Sequence, residues 1–388
     1  MHRVPWRDGV LGAVLLLSAA ALFYWPNEVA AAVHSGMSLC GNILFPSLFP
    51  FLILSSLVVE LGLSRYMGQF LSPLMMPLFR VNGRCSSALV LGLLSGYPVG
   101  AKTAIQLYET GQCSKTEAER LLAFCNNCGP AFIFGAVGTG VFGSSKLGVL
   151  LYLIHVLAAL LTGMIFRFYQ GDAHSETNDR FQEIQAARLS SALIHCITGA
   201  MQSMLHISSF VLFFSVTIRI LTCSGVLFAL SHVISLLFMP FGMNTELSSA
   251  LLAGFLEVSS GVTALPKAAL SIQLSLAAFL LGWAGLSVHC QVISFLGTNG
   301  LSLRTYLGGK LIHGILSAGI VALLVQLHLF DETVAVFWST QTETVGHLDA
   351  QQVLTISVAA AWLAWLLFFL AVVQIWKKRS GKSIRHTL

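Results

Sequence analysis

Ser95-Gly96-Tyr97-Pro98-Val99-Gly100-Ala101-Lys102 stands in the middle of an otherwise apolar run, 86–108. Its glycines and proline break the helical pattern and free backbone amides and carbonyls. Each flanking half is about ten residues, roughly half of the 20 that a membrane-crossing helix needs. The run therefore reads as two half-helices meeting at a tip at membrane depth, a re-entrant helical hairpin. Bare backbone at that depth is tolerated only where protein or a wet cavity covers it. Glu257-Val258-Ser259-Ser260-Gly261 splits a second run, 248–270, in the same manner.

The chain around these breaks has 388 residues, 56% apolar and 10% charged, with a mean hydropathy of +0.80. A soluble chain carries about 25% charged residues, so polar surface is too scarce to cover a water-soluble fold of this length. Soluble enzymes, nucleic-acid binders and disordered proteins are excluded. The net charge of +5 is no nucleic-acid signature, because the basic residues hug the ends of apolar runs. The eight cysteines lie mostly inside those runs and make no disulfide framework. Eight spans are expected, at 10–24, 42–63, 121–142, 147–168, 206–221, 277–296, 311–329 and 353–376. The expected fold is an all-α polytopic membrane protein of about eight transmembrane helices and two re-entrant helical hairpins.

Basic residues favour the cytoplasmic side of a membrane. With the amino terminus inside and neither hairpin crossing, 18 of the 21 lysines and arginines fall inside, Lys310 and the tail from Lys377 among them. Lys146, Arg219 and Lys267 are left elsewhere. The loop 331–350 holds Asp331, Glu332, Glu343 and Asp349 with no basic residue, as an outer loop should. Both termini are thus expected in the cytoplasm. The first 32 residues have the parts of a signal peptide, but Trp25-Pro26-Asn27-Glu28 reads better as a turn into the next helix.

The chain also repeats itself at a spacing of 162 residues. Residues 79–94 match 241–256 at Phe79, Asn82, Ser86, Ser87, Ala88, Leu89, Gly92 and Leu94. Both copies run span, connector, broken hairpin, then a helix with polar residues at its middle. One copy starts outside and the other inside, which makes an inverted-topology repeat, an arrangement of transporters with a site between the repeats. The expected organisation is a first helix and connector (1–41), a first repeat (42–170), a cytoplasmic linker (171–188), a second repeat (189–330), and an outer loop, last helix and basic tail (331–388).

Four polar interruptions would converge under that arrangement. At the first tip, Ser95, Gly96, Tyr97 and Gly100 offer backbone groups, and Lys102 adds a cation either to an anionic solute or to the inner surface. Asn126-Asn127-Cys128-Gly129-Pro130 lies inside the third span, where the proline frees carbonyls. Asn126, Asn127 and Gly129 either line a site or satisfy a kink. At the second tip Glu257 precedes Ser259, Ser260 and Gly261. A carboxylate at membrane depth costs roughly 2.5–3.5 kcal/mol and is read first as functional: a proton carrier, a cation ligand or a partner for Lys102. Ser287-Val288-His289-Cys290-Gln291 is the fourth. His289 titrates near neutral pH, so it either relays a proton or packs a helix, while Ser287 and Gln291 can hydrogen-bond a solute. The remaining histidines, His155 and His313 among them, have no ligand spacing. The lone pair Cys125 and Cys128 makes no metal site, and no catalytic motif is present.

The first tip, Thr116-Glu117-Ala118-Glu119-Arg120, Asn126 with Gly129-Pro130, Glu257, and Gly285 to Gln291 together resemble the YlbJ-type sporulation integral membrane proteins of the nucleoside-recognition or Gate group, which is similar to concentrative nucleoside transporters. The resemblance covers roughly 44–324. It implies two Gate-type units in a transporter-like core, an endospore-forming host, and a role in spore formation such as moving dipicolinate across a forespore-associated membrane. Cys128 stands where a small hydroxyl residue is expected, and Cys290 is likewise unusual for the group.

The functional expectation is a secondary transporter or facilitator for a small, anionic aromatic metabolite and not an enzyme. In it the residues above bind substrate, and Glu257 and His289 couple to Na+ or H+. The expected partners are that small molecule and the lipid bilayer, with a homo-oligomer open, no nucleic acid, and no cofactor beyond the coupling cation. A nucleoside-type transporter and a non-transporting scaffold in a sporulation complex are the alternatives.

Overall fold

The computed structural model describes residues 6–61, 73–130, 132–170, 189–265, 270–297 and 299–327, and all regular structure among them is helical. Helix α1 (Trp6–Tyr24) is followed by α2 (Pro26–Leu39), with Trp25 at the break and a proline at the start of α2, where its missing N–H costs nothing. The two helices meet at a 94° bend, the turn expected at Trp25-Pro26. A π-helical turn, Cys40–Leu44, then leads into α3 (Phe45–Glu60). Residues 73–79 form α4.

The first broken run is a helical hairpin. Helix α5 (Ser86–Ser95) and α6 (Val99–Glu109) have 10 and 11 residues, about 15 Å each at 1.5 Å per residue. They pack on each other around Gly92 and Gly100, where a Cβ would come within 3.0 Å of the facing glycine Cα. The second run folds back likewise. Helix α11 (Thr245–Leu256) and the six-residue α12 (Val258–Thr263) meet at Gly254 and Gly261. Asn82 and Asn244, 162 residues apart, both cap the start of their hairpins: their side chains accept from Arg84 N–H and Leu247 N–H.

After each hairpin comes a discontinuous helix. The run 121–142 is not one helix: α7 (Lys115–Phe124) stops, residues 125–129 are non-helical, and Phe132–Val141 resumes as a π-helix. The freed backbone of the Asn126-Pro130 stretch is thus an open break rather than a kink. In the second half α13 (Leu270–Trp283) and α14 (Gly285–Leu296) are separated by Ala284 in a left-handed conformation. A long helix follows each break, α8 (Ser145–Phe166) and α15 (Leu303–Gln326). These two pack on each other at the centre, flanked by α7 and α13. Helix α9 (Leu189–Cys223) has 35 residues and packs against α2 and α3, and α10 (Val226–Leu237) packs on α11.

Among the described residues four helices are long and apolar enough to cross a membrane: Ser145–Phe166, Ser190–Cys223, Ser271–Leu296 and Leu303–Gln326. The bent pair α1 and α2 makes a fifth if it is one span. The expected spans at 206–221 and 311–329 begin earlier than hydropathy alone places them, because polar residues in α9 and α15 are helical too. In particular Lys310, expected on the cytoplasmic side of a span, lies inside α15 and is only 1% exposed. The span 353–376, the loop 331–350, the linker 171–188 and Lys267 fall outside the described residues.

Two ends of the bundle are distinguished by contacts. At one, Arg120 donates to the carbonyls of Arg80 and Tyr169, and Glu119 accepts from Tyr169 Oη and Ser302 N–H. That gathers Arg80, Lys115, Arg120, Arg167 and Arg304, all expected inside, at one end. At the other, Phe142, Leu147, Met243, Ile272 and Val325 pack on one apolar cluster, with Lys146 nearby in the chain. Outward faces carry Leu16, Phe23, Phe213, Phe228 and Leu237. Such faces suit hydrocarbon, whose cost falls on polar groups rather than on exposed leucine.

Candidate functional site

Each hairpin tip rests on the break of the discontinuous helix that follows it. Gly96 has φ +86°, and a Cβ there would lie 2.7 Å from Gly129 N; Gly129 in turn sits against the Ser95 carbonyl. Gly285, at φ +81°, sits against Val258 N and Glu257 Cα. A positive φ and a close backbone approach both demand glycine. The Tyr97–Pro98 bond is cis. Tyr97 packs on the cluster that holds Cys128 and Val258, so the first tip, its break and the second tip are neighbours.

Gly100 and Gly92 bracket the end of α7: a Cβ on either would fall within 1.9 Å of the Cys125 carbonyl oxygen. Asn127 Nδ2 donates to the Phe124 carbonyl, satisfying one acceptor of that helix end. Asn126 does more. Its Nδ2 donates to Tyr306 Oη at 3.1 Å, and its carbonyl accepts from Lys310 Nζ at 2.7 Å. Tyr306 Oη is 3.0 Å from His289 Nδ1, which ties the first break to α14 just beyond the second. Lys310 is 3.5 Å from His313 Nδ1, His313 Nε2 is 3.0 Å from the His155 carbonyl, and Cys128 N–H donates to His155 Nε2 at 2.9 Å. The His155 and His313 rings lie 4.3 Å apart, and Trp283 stands edge-on to His289 at the same separation. None of these side chains is more than 1% exposed, Trp283 aside.

Glu257 is buried and takes a different environment from the one expected. Its carboxylate accepts from Ser259 N–H and Oγ–H at 3.0 and 2.6 Å, and from Ser260 N–H and Oγ–H at 2.7 Å each. It caps α12 with charge-assisted bonds, and the positive end of that helix favours the anion. Lys102 is not its partner: the ammonium donates to Ser203 Oγ of α9 at 2.7 Å and lies over the Phe295 ring. It opens on a cleft of about 290 Å3 lined also by Glu60, Gln106, Glu109 and His195, away from the network at the breaks. Ser287 and Gln291 bond each other at 3.5 Å rather than joining that network.

The tips, Asn126, Gly129, Glu257 and His289 are thus brought together around the breaks. Tyr306, Lys310, His313 and His155 were missed from sequence. The signal was there: Tyr306, Lys310, His313 and Ser317 recur at 4-3-4 spacing, one face of a helix, inside an apolar run. Among the described residues no three His, Cys, Asp or Glu side chains are grouped to hold a metal ion. Several buried polar atoms have no partner: Ser95 Oγ, Tyr97 Oη, Asn126 Oδ1, Asn127 Oδ1, His155 Nδ1 and His289 Nε2. Native interiors leave few such atoms unpaired, and here they cluster at the breaks.

An apolar-faced helical bundle with a sealed polar centre at broken helices defines an integral membrane protein that keeps hydrogen-bonding capacity in its core. Residues 43–145, from the π-helical turn before α3 to the start of α8, match the Gate family, described as nucleoside recognition. The chain is 31% identical over 334 residues to the sporulation integral membrane protein YlbJ of Bacillus subtilis, covering 81% of this chain and 82% of that protein. The chain belongs to the YlbJ family of sporulation integral membrane proteins. No solved structure matches it.

Proposed function

We propose that this protein is a secondary transporter or facilitator for a small, anionic aromatic solute such as dipicolinate, acting in spore formation. The observation that carries this reading is the abutment of each hairpin tip on a helix break, at Gly96–Gly129 and at Val258–Gly285, beside unpartnered buried polar atoms. The two halves are read as inverted repeats within about eight spans, both termini in the cytoplasm, the hairpins entering from opposite faces. Movement of one repeat against the other exposes the midplane site to each side in turn. Ser95, Gly96, Tyr97, Asn126 and Asn127 bind the solute, and Glu257 and His289 respond to a coupling H+ or Na+. Membership in a sporulation family and the Gate match support the role and the repeat unit.

Two observations favour other readings. The Gate description is nucleoside recognition, which favours a nucleoside as solute. The complete satisfaction of Glu257 by its own helix favours a scaffold that moves nothing. Uptake of labelled dipicolinate and of uridine into proteoliposomes, under H+ and Na+ gradients, with wild type and Glu257→Gln, separates them. Dipicolinate uptake lost in the variant supports the transporter with Glu257 in its path; uptake unaltered keeps the transporter and removes that role. If neither compound moves, the scaffold stands.

A further inference from the structure

We propose that Lys310 binds the carboxylate of the solute at the first helix break, with His155 and His289 supplying further N–H donors to the anion. This deepens the transporter reading and rests on it for the identity of the ligand as a solute, while the site itself follows from the hydrogen bonds.

A lysine ammonium has three N–H groups and no acceptor. At Lys310 one donates to the Asn126 carbonyl and a second to His313 Nδ1. No partner for the third, and no carboxylate paired with this ammonium, is found among the described residues. Because His313 Nδ1 accepts, its proton sits on Nε2 and is given to the His155 carbonyl. Because Cys128 N–H donates to His155 Nε2, the His155 proton sits on Nδ1, which is buried without a partner. Tyr306 Oη accepts from Asn126 and keeps its own proton, which it can give to His289 Nδ1; in that tautomer the His289 proton sits on Nε2, also buried without a partner.

Unused N–H donors on Lys310, His155 and His289, one of them cationic, are therefore held in one buried network. A buried charge demands pairing, and an unmet donor is costly. A lysine that served only to cap the carbonyl end of α7 would leave the two rings unexplained; an anion accounts for all three. Carboxylate is the anion this set fits, because its two oxygens offer several acceptor positions and an aromatic body can pack on Trp283, which flanks His289. The same donors give a neutral nucleoside no counter-charge.

The test is thermal unfolding of the detergent-solubilised full-length protein, with the part of its tryptophan fluorescence that Trp283→Phe removes as a second readout. The added probes are dipicolinate, benzoate, benzamide and uridine. Both carboxylates are expected to raise the Tm of wild type and of Arg304→Gln, a control at the bundle end, and benzamide is not. Lys310→Gln is expected to weaken carboxylate binding at least about tenfold. Retention of the carboxylate shift in Lys310→Gln, equal stabilisation by benzamide, or no carboxylate shift in wild type overturns the proposal. If Lys310→Gln does not fold, His155→Gln and His289→Gln take its place, and undiminished benzoate binding in both overturns it. Carboxylate binding through Lys310 without proteoliposome uptake keeps the site and removes the transporter. Uptake indifferent to Lys310 does the reverse.

Discussion

Glu257 accepts from both the backbone N–H and the hydroxyl of Ser260, each at 2.7 Å. With the matching pair on Ser259, one carboxylate takes four bonds from the first turn of its own helix. The 162-residue register sets Ser95 opposite Glu257, yet Ser95 Oγ has no partner. The two tips are alike in backbone and opposite in chemistry: the second is charged and closed on itself, the first neutral and open.

Removal of that cap should be felt in stability before function. Glu257→Ala strips four donors of their acceptor, the Ser259 pair buried and the Ser260 pair partly so, and bonds to a charged group are worth about 1.5–3 kcal/mol each, with strong non-additivity. A loss of about 3 kcal/mol is expected, against about 1–2 kcal/mol for Glu257→Gln, which keeps one accepting oxygen. Unfolding of the two variants in detergent checks the order; an alanine variant as stable as wild type would show the cap to be idle.

The contact of hairpin and break makes a second expectation. A Cβ on Gly100 would lie 1.9 Å from the Cys125 carbonyl oxygen, and on Gly92 1.8 Å, with backbone on both sides and no flexible side chain to give way. Gly100→Ala should therefore cost about 3 kcal/mol or more. Gly319, in α15 with nothing near its missing Cβ, is the contrast. There alanine should add about 0.5–1 kcal/mol through helix propensity. Comparable melting of the two variants would contradict the packing described.

Sidedness is open to direct labelling. The contacts of Arg120 and Glu119 place Lys115 and Arg304 at one end of the bundle, and Lys146 belongs to the other. Cysteines at Lys115 and Arg304 should react with a membrane-impermeant maleimide only from the cytoplasmic side, and one at Lys146 only from outside, each above the signal of the natural thiols. Labelling of Lys115→Cys and Lys146→Cys from the same side would remove the inverted arrangement.

The hairpins were legible because glycine and proline act locally: Gly96 and Pro98 break a helix whatever surrounds them. The family, too, was readable from short motifs at those breaks. Lys310 was not, because charge counting assigns a basic residue near a span end to the surface, and only the packing of α15 against α7 buries it. Lys102 is the opposite case: it sits next to the tip in sequence, but its long side chain reaches Ser203 of a helix that sequence spacing does not bring near. Glu257 was rightly singled out as buried, while its partners are its own neighbours at two and three residues, a local cap that a search for distant partners passes over.

Tyr306 is the residue on which the two halves meet, and its hydroxyl can be removed without disturbing shape. Tyr306→Phe keeps the ring but takes from Asn126 Nδ2 its acceptor and from His289 Nδ1 its neighbour, both fully buried. Leaving such groups unmet costs about 1–3 kcal/mol, so a loss near 2 kcal/mol is expected. Tyr169→Phe, which removes a partly buried bond to Glu119 and an exposed one from Gln170, should cost about 0.5–1 kcal/mol. A double-mutant cycle of Tyr306→Phe with His289→Phe isolates the bridge, because His289→Phe preserves an aromatic ring beside Trp283 while abolishing the nitrogen. A coupling of about 1 kcal/mol is expected, of the sign that makes the second substitution cheaper after the first. Additive losses would mean that the hydroxyl serves Asn126 alone, and that α14 is held to the first break by packing rather than through Tyr306.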